Sequence, residues 1–414
     1  MFRSYLSLFR QQPAFLLFGL IAACLSSFGQ TFYIGLFSGE IRADFGLSHG
    51  EFGRLYSLAT LGSGFAILWC GRLVDRLDLR LITSLTVMAL GLAAIAMAVI
   101  VHPLWLVGVL FALRLLGQGM MGHIAITAMG RYFAAARGRA VAVAASGFPL
   151  GEAIFPILAV TLTAALGWRT AWAVAGVALI VAGLPMLLGL LRGHPRRVQL
   201  WRLRQQRRAR PENRTAVREW RVSEVLTDPR FWLLMPILLS PAFFVTGFFF
   251  HQVHLAESKA WPLEWLAASF AVFAATQFSG LVLAGYLTDR TNARSLLAIY
   301  LLPLAAGMTV IQLGSDAFWM PIYMALFGLT AGTSATIVGA IWAELYGTQY
   351  LGGIRSVYTA LMVFSTAGSP WLMGALLDRN VAIEQLAGLS LAWLCVVSLL
   401  GLLLGKTVLN ARAD

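Results

Sequence analysis

Runs of about twenty apolar residues, cut by short charged or Pro/Gly segments, recur along the whole 414-residue chain. Crossing the hydrocarbon core of a bilayer takes roughly 20 consecutive apolar residues of helix. The pattern predicts twelve such helices, over 14–37, 53–73, 81–101, 104–128, 138–163, 170–191, 231–254, 264–287, 294–313, 317–340, 353–376 and 385–408; they are numbered below as spans one to twelve. One long polar interval, 192–230, separates six spans from six. The predicted architecture is therefore an all-α membrane protein of twelve transmembrane helices in two six-helix bundles. These are 1–191 and 231–414, joined by a basic central loop over 192–230.

Composition agrees with that pattern. The chain is 59% hydrophobic and 12% charged, against about 25% charged in soluble domains. Too little polar surface exists for a secreted protein, a disordered one or a soluble enzyme. The net charge of +13 raises nucleic acid as a partner, but the basic residues sit between apolar runs rather than on a folded basic domain, so none is expected. Placing the N-terminus in the cytoplasm puts 25 of the 31 Lys and Arg residues in cytoplasmic segments and five outside, with Arg114 inside span four. That asymmetry follows the positive-inside rule and places both termini in the cytoplasm. In the central loop, Trp201 and Trp220 among arginines suit either contact with an anionic leaflet or, the favoured reading, a solvated linker that sets topology. The N-terminal segment runs through Arg3 and Arg10 into span one with no small-residue cleavage site, as a retained first helix would. Cys24, Cys70 and Cys395 lie in apolar runs without metal-ligand spacing.

An internal repeat organises the two halves. Gly71-Arg72-Leu73-Val74-Asp75-Arg76-Leu77-Asp78-Leu79-Arg80 follows span two, and Gly285-Tyr286-Leu287-Thr288-Asp289-Arg290-Thr291-Asn292-Ala293-Arg294 follows span eight, at a constant offset of 214. Both read G-x-L-x-D-R-x-x-x-R. Two six-helix halves joined by a cytoplasmic loop form the parallel-repeat plan of a large transporter class. The chain resembles the major facilitator superfamily, whose signature is a G-x-L-x-D-R-x-G-R-R-type loop between helices two and three. Asp78 and Asn292 replace the second glycine, and both tolerate left-handed backbone, which predicts that the tight turn is kept. The SFGQTFYIGLF stretch of span one, TDPRFW at the start of span seven and FFFHQVHLA at its end are similar to bacterial monocarboxylate-transporter-like members. The resemblance implies an inner-membrane location and a cytoplasmic gate. In that gate Asp75 and Asp289 each cap a helix of the opposite half, with Arg76, Arg80, Arg290 and Arg294 around them.

Ionisable groups at membrane depth are costly and mark function. Arg114 and Glu152 are the strongly charged residues inside the spans. Arg114 begins RLLGQGMMG, similar to the superfamily's R-x-x-G-x-G motif, and its fork-shaped cation suits a carboxylate. Glu152, among Gly147, Gly151 and Pro156, is the candidate for proton coupling together with Arg114, or else forms a static bridge with a basic group. Gln30, Tyr33, Gln118, Gln277, His251 and Tyr358 are candidate substrate contacts, and His123 and His254 are further titratable groups. No phosphate-cradling loop, metal cluster or nucleophile–base pair is present. Neither an enzyme nor a cofactor is expected. The reading is a secondary active transporter, working by alternating access and functional as a monomer, that moves a small organic anion, a monocarboxylate first of all, with protons. The alternative is a proton-antiport exporter of amphipathic drugs or metabolites.

Overall fold

A computed structural model describes residues 8–133, 136–193, 220–297, 299–347 and 350–407. Within these ranges nothing is stated for the side chains of Asp75, Arg137, Asp289 and residues 405–407. The fold is all-helical. Among the described residues, ten helices are long and apolar enough to cross a membrane. Spans two and nine are the predicted spans outside that set. Span two is a 22-residue helix, His49–Cys70, whose Glu51, Arg54, serines and glycines dilute its apolar character. In span nine the helix itself is short, Leu302–Leu313, preceded by a separate turn at Ala293–Leu296. At 1.5 Å per residue its 12 residues reach about 18 Å.

The chain divides into two compact units. One holds Met1–Ile34 and Leu58–Thr215, the other Gly35–Ser57 and Ala216–Asp414. The C-terminal end of span one and the start of span two therefore pack with the second unit. Helix His49–Cys70 passes from one unit into the other.

In the first unit, span one is interrupted. Helix Pro13–Leu25 passes into a 3₁₀ turn at Ser26–Gly29, Gln30 is extended at φ −82° and ψ 152°, and a helix resumes at Thr31–Gly35. Span four also changes winding: α-helix Pro103–Leu113, π-helix Arg114–Met121, then α-helix Gly122–Tyr132. Span six holds a second π-segment, Leu179–Gly183. Span five runs through helices Arg137–Ala145 and Gly147–Leu166, and span three is Leu79–Val99. Two arginines tie ends together. Arg80 donates to the Leu191 carbonyl closing span six, through Nε at 3.2 Å and Nη2 at 2.8 Å, and Arg169 Nη1 donates to Ala98 and Ile100 at the end of span three.

In the second unit spans seven, eight, ten, eleven and twelve are continuous helices, Pro229–Phe250, Leu263–Arg290, Trp319–Tyr346, Leu351–Leu377 and Ile383–Thr407. Spans eight and ten lie backbone to backbone: a Cβ at Gly328 would overlap the Phe273 carbonyl, one at Gly332 the Gln277 carbonyl, and one at Gly280 would lie 2.5 Å from the Leu329 carbonyl. Small residues are what permit this approach in membranes. Span seven carries Pro236 and Pro241 inside its helix. Proline has no N–H to give to the carbonyl four residues earlier, and Pro241 thereby releases Ile237, whose carbonyl accepts the Tyr300 hydroxyl at 2.6 Å.

Neither loop uses the left-handed turn expected of its Asp or Asn. Asp78 sits at φ −61° and ψ 138° and Asn292 at φ −174° and ψ 164°, both extended. Each is an N-cap: Asp78 Oδ1 accepts from the Arg80 amide at 2.8 Å, and Asn292 Oδ1 from the Ser295 amide at 2.9 Å. The side-chain oxygen that tolerates αL also satisfies the orphan amides of a helix start, and the second property is the one in use.

Candidate functional site: a broken helix facing a buried arginine

The interruption of span one is packed on by spans four and five. Gly29 meets Gly117 of the π-segment so closely that a Cβ on Gly117 would lie 2.6 Å from the Gly29 nitrogen and one on Gly29 2.8 Å from the Gly117 Cα. Neither position admits a side chain. Unwinding leaves backbone carbonyls without helical donors, and such groups need partners at membrane depth. Arg114 supplies one. It is 3% exposed, and its Nη1 donates to the Gly29 carbonyl at 3.1 Å and to the Thr31 hydroxyl at 3.3 Å. π-Bulges inside α-helices concentrate at functional sites. Here the bulge begins at the arginine.

Span five reaches the same break from another side. A Cβ on Gly151 would overlap the Ser27 hydroxyl and lie 2.8 Å from the Cys24 carbonyl, and Gly147 packs on Leu20, Ala23 and Cys24. Glu152, half-buried, is the next residue. Pro156 follows inside the helix and removes the amide that would otherwise bond the Glu152 carbonyl. The helix that carries Glu152 thus packs, through Gly151, on the same interrupted turn of span one that Arg114 bonds. Gln118, in the π-segment, has a buried amide oxygen without a hydrogen-bond partner in this structure. Gln30 is the extended residue of the break and is half-buried. Tyr33 is 3% exposed. Its ring meets Phe28 at 5.1 Å, Trp172 at 5.2 Å and Phe155 at 6.4 Å, all edge to face, so it braces the break from within the core.

The other expected contacts belong to the second unit. Tyr358 gives its hydroxyl to the Leu238 carbonyl at 3.2 Å, and His251, buried, pairs Nε2 with the Pro370 carbonyl at 3.0 Å. Both join helices. Gln277 has a buried amide oxygen without a partner. The structure brings Arg114, Gln30, Gln118, Tyr33 and Glu152 together around one feature and places Gln277, His251 and Tyr358 in the second unit.

Of the expected gate, the Asp75 and Asp289 side chains lie outside the described residues. Arg76 is exposed, and Arg290 lies over the Tyr286 ring at 4.4 Å. The two loops are anchored with opposite polarity. In the first, Arg131 at the end of span four donates to the Val74 carbonyl at 3.3 Å. In the second, Glu344 at the end of span ten accepts from the Ala293 amide at 2.8 Å, while Arg294 Nη2 donates to the Glu344 carbonyl at 2.6 Å.

Sequence reasoning missed the break at Ser26–Gln30, Thr31, and a cluster where the start of span two meets the end of span eleven. The signals were present: a run of small polar residues inside an apolar span, and Ser48-His49-Gly50-Glu51, a capping-box pattern. Ser48 Oγ accepts from the Glu51 amide at 3.1 Å, and Glu51 accepts from the Ser48 amide at 2.9 Å. Among the described residues, no group of three or more His, Cys, Asp or Glu could hold a metal ion.

Comparison with known proteins bears on family and fold. An "MFS-type transporter" of Gibberella moniliformis is 25% identical over 278 residues, 64% of this chain and 60% of that protein; the match spans less than two thirds of that relative. In fold the chain is similar to a bacterial homologue of the human lysosomal transporter Spinster, crystallised inward-facing and occupied (TM-score 0.67, 17% identity, covering 95% of this chain and 96% of that one). It is also similar to the nucleoside transporter NupG (TM-score 0.69, 10% identity, covering 95% and 100%). The Major Facilitator Superfamily family model matches residues 19–370, most of the chain, and the protein belongs to that superfamily of multi-pass membrane transporters.

Proposed function

We propose that this transporter carries a small organic anion, a monocarboxylate in the first instance, together with protons, by alternating access around the break in span one. The reading keeps twelve spans, with His49–Cys70 and the Leu302–Leu313 segment as the second and ninth, in an inner membrane with both termini cytoplasmic and a monomer as the working unit. The supporting observation is Arg114, a permanent cation buried at the interrupted turn. Insertion scales charge roughly 2.5–3.5 kcal/mol for an arginine at membrane depth, a cost a purely apolar helix contact would not carry. Glu152, on the helix packed against the same turn, is the group through which a proton would move. Discontinuous helices whose exposed backbone meets charged ligands are the recurrent form of transporter sites. Asp75 and Asp289 are proposed to cap helices of the opposite half when the cytoplasmic side is shut, each contact worth about 0.3–2 kcal/mol.

A second reading has an observation of its own. In the second unit, spans seven, eleven and twelve enclose a groove of about 610 Å³ lined by Trp232, Phe243, Phe244, Leu372 and Trp393, with Ser240 accepting from Trp393 Nε1 at 2.9 Å. Such a groove favours an amphipathic cargo exported against protons. Proteoliposomes with an imposed pH gradient decide between the two. For symport, small carboxylates collapse the gradient and accumulate; for antiport, they leave it intact while amphipathic cations or neutral amphiphiles discharge it.

A further inference from the structure

Asp378, at the end of span eleven, holds the start of span two. Its Oδ2 accepts the Ser48 hydroxyl at 2.7 Å and the Gly50 amide at 2.9 Å, and its Oδ1 the His49 amide at 3.0 Å. A carboxylate on the first amides of a 22-residue helix gains charge-assisted hydrogen bonds and the favourable end of the helix dipole. The contact is close-fitting: a Cβ on Gly374 would lie 2.7 Å from the His49 carbonyl carbon, and one on Gly53 2.9 Å from the Pro370 carbonyl carbon. Deeper in, Phe52 stacks on Phe250 at 5.0 Å and Tyr56 meets the same ring at 4.6 Å. Segment Gly35–Ser57 thus belongs to the second unit through a definite set of bonds.

Three histidines converge beside that carboxylate. The His49 ring lies 4.4 Å from His254 and 5.6 Å from His251. The charged groups facing them are Arg42, Asp378, Glu257 and Glu384, and Lys259 bridges Glu384 at 3.4 Å. In this space two added protons would face each other and Arg42.

We propose that Asp378 and the His49–His251–His254 cluster form an external, proton-responsive latch that binds segment 35–57 to the second unit at neutral pH and releases it in acid. The proposal rests on the alternating-access reading, in which this end of spans one and two must change partners. The sign follows from linkage. Two protonated rings side by side and next to Arg42 repel, and separation of the segment relieves that repulsion. Histidine titrates near 6.5 when solvated, so the latched form is kept above that pH and lost as pH falls below it.

The test uses the full chain in liposomes, with Cys24, Cys70 and Cys395 replaced by alanine and spin labels at Ala43→Cys and Ser315→Cys, both exposed in the second unit. One distance population at pH 7.5 and a second, longer one at pH 5.5 are expected. His49→Gln with His254→Gln should remove the pH dependence, and Asp378→Asn should show the longer population at both pH values. If Asp378→Asn does not fold, Ser48→Ala, which removes one hydrogen bond, should shift the same populations in the same direction. Distances unchanged by pH with the histidines intact, or a pH response that survives their replacement, would overturn the latch. No cargo is present in this measurement. A failed anion screen with a pH-dependent distance overturns the cargo assignment alone, whereas a successful screen with fixed distances overturns the latch alone.

Discussion

The repeat offset of 214 sets two regions side by side that solve the same packing problem differently. Gly328 and Gly332 in span ten stand where Arg114 and Gln118 stand in span four. The first-unit helix loosens into a π-turn and places a cation against an interrupted partner. Its counterpart stays α-helical for 28 residues and presses two glycines onto the backbone of span eight. Spans eight and ten approach through glycine alone, whereas spans one and four combine a glycine contact with a buried charge, and that charge needs exposed backbone to solvate it. The second-unit pair therefore does without the charge that the first-unit pair carries. On the proposed reading Arg114 handles the anion in the first unit, while spans eight and ten of the second pack closely through glycine.

The largest test of that division is Arg114→Gln. A neutral amide can still bond Gly29 or Thr31 but cannot neutralise an anion, so transport of a carboxylate should fall at least a hundredfold while the protein remains folded and inserted. Uptake within tenfold of wild type would remove Arg114 from the binding site. Arg114→Lys sharpens the point: if the planar fork matters, lysine should rescue little. On the scaffolding side, Gly332→Val should be the more damaging to folding. Its added atoms meet the Gln277 carbonyl, and overpacking of this kind costs about 1–3 kcal/mol. The expected readout is a lower thermal midpoint in detergent, with Gly332→Ala intermediate.

Glu152→Gln separates proton from cargo. The variant should lose accumulation driven by a pH gradient and keep counterflow exchange, since exchange moves no net proton. Both assays belong in the same vesicles. Full pH-driven accumulation would assign Glu152 to a structural role beside the break.

What the sequence made legible was what periodicity and repetition encode: helical spans, the duplicated loop, and the isolation of Arg114 and Glu152 in apolar surroundings. Ten of the predicted spans lie on helices long and apolar enough to cross. The other two show why window reasoning fails there. Span two is polar because its first turns hold an acid-capped, histidine-lined contact, and span nine is a short helix behind a turn. The break at Ser26–Gln30 was passed over because a few polar residues do not interrupt a span-length apolar window; the close approach of Gly117 to Gly29, which marks the break, is a tertiary contact that sequence does not show. Tyr358 and His251 looked like cavity groups because polarity in a span suggests function. Their bonds to Leu238 and Pro370 show another use of a polar side chain, joining one helix to the next.

The smallest effect sharpens the comparison of the two loops. If Asp78 and Asn292 stood in for glycine because the chain turns left-handed, glycine would be at least as good at both positions and serine poor. Both backbones are extended and both side chains accept a helix-start amide, so capping predicts the reverse order. Asp78→Ser should be close to neutral, and Asp78→Ala should cost about 1 kcal/mol. Glycine should fall between them, because an Ncap glycine loses only a few tenths of a kcal/mol. The two loops should also differ in salt. Asp78 carries a charge at the helix start, and its contribution should shrink as salt screens the dipole interaction; neutral Asn292 should be indifferent. Thermal midpoints of the alanine variants at low and high salt measure this. Equal salt dependence in the two would mean that the charge at position 78 acts elsewhere than on its own helix.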